Sequence, residues 1–193
     1  MGRTPLDTPA RQQEVFAAVL HVFADVGYAR FNMDLVASRA RASKASLYQR
    51  WPSKARLIVD ALRANMPVLA QPDEGSFVED VRAIMRSWGE PRPFDLTGIF
   101  LGLLEGSRQD ADLVRLREEH VDRVYTEQLQ VAVVRAKDRG ELPRDLDADV
   151  LMTALVSTFV LRSEEADVVG GIVDGLLRPL IGRSFATEPL VKE

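Results

Sequence analysis

ASKASLYQRWPSK, residues 42–54, decides how the chain is read. It gathers two lysines, an arginine, three serines, a tyrosine and a tryptophan into one short helical segment, a poor composition for filling a core. Ser43 is a good N-cap for a helix starting at Lys44, and Pro52 stops that helix because the residue before a proline is pushed out of helical angles. Upstream, Asn32 can cap a second short helix, MDLVASRA, with only about three residues between the two. Two short helices joined by a tight turn, the second one basic, are a helix-turn-helix. Phe31, Met33, Val36, Ala40, Leu47 and Trp51 can form the small core that fixes the angle between them. The opposite face of the second helix then carries Lys44, Ala45, Ser46, Tyr48, Gln49 and Arg50. A major groove about 12 Å wide admits one helix, and it favours short side chains toward the base edges with hydroxyls and cations toward the phosphates.

The surrounding pattern is helical and predicts an all-α chain of about nine helices. Thr8 and Pro9 start the first, Phe16, Val19, Leu20, Phe23 and Val26 recur along one face, and Gly27 is a natural stop. Ser53 caps a fourth helix with Leu57, Ile58, Ala61, Leu62 and Met66 on its apolar face. A loop near residues 71–76 precedes five further helices, at roughly 77–89, 95–109, 112–139, 147–162 and 166–182, with Asp145 or Asp147 capping the fourth of these.

Composition narrows the class of function. The chain has 193 residues, 46% hydrophobic and 28% charged, with a formal charge of −4. Residues 1–63 nevertheless hold ten Lys/Arg against five Asp/Glu, so a basic head precedes an acidic body, and only the head suits a polyanion. No cysteine is present, which excludes disulfides and thiolate chemistry. No apolar run is long enough for a membrane span, and the N-terminus carries no apolar signal core; a cytoplasmic protein without membrane attachment is expected. The two histidines, His21 and His120, join no metal-ligand set or nucleophile triad, so no catalytic residue, metal or cofactor is expected.

The stretch GYARFNMDLVASRARASKASLYQRWPSKARL (27–57) resembles the DNA-binding head of the TetR family of bacterial transcriptional regulators. Gly27–Tyr28, Asn32, Val36–Ala37, Ser43–Lys44, Ser46–Leu47–Tyr48, Trp51, Ser53–Lys54 and Leu57 match that family's pattern. The resemblance implies that residues 1–54 form a helix-turn-helix DNA-binding domain and residues 55–193 a helical ligand-binding and dimerisation domain. It implies that Asn32 caps and touches a phosphate, that Lys44 and Ala45 face base edges, and that Tyr48 lies between base edge and phosphate. Ser43 belongs to the same matched turn, and Ser46, Arg50 and Lys54 would hold the backbone. Gln49 can also reach a base or a phosphate. Where the family usually has glycine and valine in the turn, this chain has Arg41 and Ala42. Either the turn avoids the left-handed region or it tolerates the strain, and Arg41 would add a phosphate contact.

For the body the resemblance implies a small-molecule effector and a homodimer. Gly98, Gly102 and Gly106 recur every four residues in an apolar helix; they either admit another helix closely or leave room for a ligand. Trp88, Phe100, Leu103, Leu104, His120, Arg123 and Tyr125 are the candidate lining residues. The last two helices are apolar over more than one face, which suggests a dimer interface of Leu151, Leu155, Phe159, Val169, Ile172, Val173, Leu176 and Leu180. A monomer with a thick core is the alternative. The function expected is that of a regulator, a repressor released by its ligand from a double-stranded, pseudo-palindromic operator. The competing reading is a helical ligand-binding or scaffold protein that no longer binds DNA.

Overall fold

The computed structural model describes residues 8–65, 71–88, 93–162, 167–178 and 181, without the side chains of Leu96, Val124 and Tyr125. The described residues contain helices and no strand. They are α1 (Pro9–Arg30), α2 (Met33–Arg39), α3 (Lys44–Arg50), α4 (Lys54–Ala64), α5 (Phe77–Trp88), α6 (Leu96–Ser107), α7 (Ala111–Arg117), α8 (Arg123–Asp138), α9 (Ala148–Leu161) and α10 (Val168–Ile172).

Local chemistry places their ends. Thr8 accepts from the Arg11 amide, and Pro9 occupies the first turn where its missing N–H costs nothing. Asn32, Ser43, Ser53 and Asp147 cap α2, α3, α4 and α9 through their side-chain oxygens. Gly27 breaks α1 at φ 71° and a last turn runs on to Arg30. The helix expected over 112–139 is interrupted by a π-helical turn, Glu118–Asp122. Arg117 Nε donates to Asp122 Oδ2 at 2.9 Å across it, a five-residue spacing that suits the π period. A second π-helical turn, Val173–Leu177, follows α10.

The compact units follow packing rather than chain order. One comprises Met1–Val68 with Pro91–Tyr125, the other Leu69–Glu90 with Thr126–Glu193. In the first, α4 and α6 pack on α1, and one apolar core runs from Val15 through Leu47 and Trp51 to Ile99 and Leu113. The glycine stripe of α6 has one answer here. A Cβ on Gly98 would lie 2.8 Å from the Ala24 carbonyl oxygen, one on Gly102 2.9 Å from the Phe23 ring, and one on Gly106 2.6 Å from the Tyr28 ring. The glycines admit α1 at close range, and this face of α6 holds no room for a ligand.

In the second unit, Phe77, Val81, Ile84, Met85 and Trp88 bury the inner face of α5. Its start is tied to the end of α8. The fully buried Asp80 takes a bond of 3.2 Å from Arg139, and Glu141 accepts from the Phe77 amide at 2.6 Å. Trp88 meets the Phe159 ring edge-on at 5.6 Å. Among the described residues no helix is long and apolar enough to cross a membrane.

Candidate nucleic-acid interface

The recognition element is built on a buried anchor. Leu47 of α3 and Trp51, the residue just past its end, are almost wholly buried, beside Phe31, Met33, Val36 and Ala40. Phe16 of α1 meets Trp51 edge-on at 5.6 Å, and the Trp51 indole donates to Asp60 at 3.1 Å. All six residues expected in this small core are in it.

The turn between α2 and α3 is a Schellman motif. The Arg41 amide donates to the Ser38 carbonyl at 3.2 Å and the Ala42 amide to the Ala37 carbonyl at 2.9 Å. Arg41 takes the left-handed position at φ 49°, and is the one non-glycine residue with positive φ among those described. The turn therefore enters the left-handed region and carries the strain, roughly 1–2 kcal/mol for a side chain with a Cβ. Ala42 is buried beneath it. Arg11, unnoticed in the sequence, reaches the turn from α1: its guanidinium donates to the carbonyls of Ala40 at 2.6 Å and Arg41 at 3.2 Å.

On the outer face, Lys44, Ala45, Tyr48, Gln49 and Arg50 are exposed along α3, with Asn32 and Arg41 exposed nearby. Tyr48 keeps 48% of its surface, large for an aromatic side chain with a core available beneath it. Ser43 and Ser46 are half-buried; their hydroxyls lie 2.6 Å apart, and the Ser43 hydroxyl also receives the Ser46 amide. Lys44 is paired with Asp34 of α2 at 2.7 Å, and this bond raises its pKa. Lys54 is turned inward: its ammonium donates to the Tyr28 carbonyl at 2.9 Å and lies 3.9 Å from the centre of the Tyr28 ring. Its geometry favours fixing α4 to α1 over meeting a phosphate.

Tyr28 is the hub that the sequence did not expose. Its ring is buried, and its hydroxyl donates to Asp110, the N-cap of α7. Burial first, and then Asp110, pushes the phenol well above its usual range. The Tyr28 hydroxyl in turn holds the Asp110 carboxyl below its usual value. Glu105 of α6 accepts from the Ala29 amide at 3.2 Å. The corner between α6 and α7 thus grips the joint between α1 and α2.

The residues expected to line a ligand site are divided between the two units. Trp88 belongs to the second unit, where it is buried and donates to Gln128 at 3.3 Å. In the first unit Leu103 is buried in the core, Phe100 and His120 are half-buried, and Leu104 and Arg123 are exposed. The Tyr125 side chain lies outside the described residues. An open groove of about 460 Å³ beside α7, lined by Arg108, Asp110 and Arg115, contains none of them.

The interface expectation needs a correction. Leu151, Leu155, Phe159, Ile172 and Val173 are at most 6% exposed, so the single chain already covers them. Apolar residues on two helix faces serve the chain's own core. Val169 and Leu176 are half-buried, Val150 and Leu161 stand 66% and 61% exposed, and Leu180 lies outside the described residues. Among the described residues, no group of three or more His, Cys, Asp or Glu side chains could hold a metal ion.

Residues 15–61 match the model of bacterial regulatory proteins of the tetR family, and residues 71–164 match a tetracyclin repressor-like C-terminal domain. An HTH-type transcriptional regulator of Mycobacterium bovis is 32% identical over 185 residues, covering 90% of this chain and 89% of that protein. The DNA-binding transcriptional repressor TetR of Mycobacteroides abscessus is 31% identical over 181 residues, covering 89% of this chain and 94% of that protein. Among solved structures, AibR in complex with isovaleryl coenzyme A and operator DNA shares the fold at a TM-score of 0.59 and 19% identity, over 89% of this chain and 98% of that one.

Proposed function

This chain belongs to the tetR family of bacterial transcriptional regulators, and we propose that it is a homodimeric, cytoplasmic repressor released from a pseudo-palindromic operator by a small molecule. The observation that carries the DNA half is the outer face of α3. Lys44, Tyr48, Gln49 and Arg50 stand exposed on a helix whose other face is locked by Leu47 and Trp51. Lys44 and Ala45 then face base edges, Tyr48 lies between base and phosphate, and Arg50, Arg41 and Asn32 meet the backbone. Ser43 and Ser46 hold the start of α3 and offer it to a phosphate. A two-fold dimer presents two such helices to successive major grooves, so the operator carries two half-sites.

An effector acts by favouring a spacing of the two heads that no longer fits those grooves. It can move the equilibrium only by its differential affinity for the two spacings, and a hundredfold loss of operator affinity corresponds to about 2.7 kcal/mol of coupling. Acyl-coenzyme A thioesters are the first class to try, because AibR holds one on the same fold. The test is footprinting on the DNA upstream of the chain's own coding region, with and without a panel of acyl-coenzyme A esters of graded chain length. Protection over two half-sites, lost with one ester at micromolar concentration, is the expected result. Protection that survives every ester excludes that effector class, and absence of protection on any duplex removes the repressor reading itself.

A further inference from the structure

We propose that Arg11 sets the angle at which α3 meets DNA, and so determines operator specificity without touching DNA itself. The inference rests on the operator-binding reading above. Arg11 sits in the first turn of α1, yet its guanidinium ends 29 and 30 residues away in sequence, on the carbonyls of Ala40 and Arg41. Ala40 is the C-cap of α2, where the last C=O groups of any helix lack partners of their own, and Arg41 is the turn residue after it. Glu14, one turn further along α1, pairs with the same guanidinium and aims it. The side chain is only 17% exposed, so its fork is committed.

What it holds is the strained point of the motif. Arg41 is left-handed without being glycine, and α3 begins three residues later at Lys44. A seven-residue helix is about 10 Å long, so a tilt of some 12° at the turn would move its far end by about 2 Å. That exceeds the tolerance of a hydrogen bond to a base edge. A residue clamping both carbonyls therefore controls which base pairs Lys44, Tyr48 and Gln49 can reach together. Nη2 of Arg11 donates to both carbonyls while Nη1 is held by Glu14, and a lysine cannot replace it, because a single ammonium on a flexible stem cannot keep Glu14 and the two carbonyls in one rigid plane.

The experiment compares the full chain with Arg11→Ala, Arg11→Lys and Arg50→Ala. Each is titrated against an operator selected from random duplexes and against a scrambled duplex of equal length, over a range of salt, with helicity and melting followed by circular dichroism. Both Arg11 variants should lose about tenfold or more on the operator and under about twofold on the scrambled duplex, since bonds from a charged donor are lost but no DNA contact is. Their salt slopes should match the wild type, whereas Arg50→Ala, which removes a backbone cation, should lower its slope by about one. Full operator affinity in Arg11→Lys would overturn the proposal. So would an equal loss on both duplexes with a reduced slope, which marks a phosphate contact. So would unfolding of both variants at the assay temperature, which makes Arg11 a stability residue. If the wild type binds no duplex, the DNA-binding reading falls and takes this inference with it; unchanged Arg11 variants sink the inference alone.

Discussion

Asp34 competes with a base edge for Lys44. The two side chains are exposed, so the pair contributes little to folding, but in free protein it occupies the cation that DNA needs. Asp34→Ala should raise affinity for unrelated duplexes more than for the operator, lowering specificity; a filter-binding competition against scrambled DNA would measure the ratio. Arg41 yields the second prediction at this scale. Glycine adopts φ 49° without strain, so Arg41→Gly should stabilise the fold by about 0.5–1 kcal/mol after its extra unfolded-state entropy, read from urea midpoints. Residue roles set by near neighbours were legible in the sequence. The caps at Thr8, Asn32, Ser43 and Ser53 need only a side-chain oxygen two or three residues before an amide. Roles set across the fold were not legible. The bonds of Arg11 span about thirty residues and the bond between Tyr28 and Asp110 spans 82, and no local pattern marks either.

At the level of elements, the firmest contact is α6 on α1. Gly106→Ala puts a methyl group into the Tyr28 ring, whose position is fixed by burial and by Asp110, and should destabilise by about 1–3 kcal/mol. Gly102→Ala meets the far edge of the Phe23 ring and should cost less. Thermal melts of the two variants would rank them. The Tyr28 bond to Asp110 gives a pH test with a definite sign. Asp110 is held below its ordinary value of 3.8, so its stabilisation is complete above that value and is lost as pH falls through the folded-state pKa. The Tm advantage of wild type over Tyr28→Phe should be full at pH 7 and should shrink below about pH 4. A difference that is constant with pH would show that the hydroxyl acts by packing alone. Helix existence was legible because the apolar period repeats over whole turns. The π-helical turn at Glu118–Asp122 was not, because one inserted residue shifts the period without leaving a turn residue behind.

For the whole molecule, the sequence overstated how much apolar surface a partner must cover. Leu151, Leu155 and Phe159 read as surplus, but the single chain buries all three, Phe159 against Trp88. The dimer proposed here therefore draws on Val150, Leu161, Val169 and Leu176. Sedimentation should report about twice the 21.5 kDa chain mass, and Leu161→Glu should shift it toward one chain. The central claim is that α3 reads duplex DNA, and fluorescence anisotropy on the DNA upstream of the coding region, at two salt concentrations, tests it most directly. Wild type should bind tightly, weaken with salt, and weaken further as Lys44→Ala and as Tyr48→Phe. A folded dimer that binds no duplex at either salt, or variants indistinguishable from wild type, would contradict the claim.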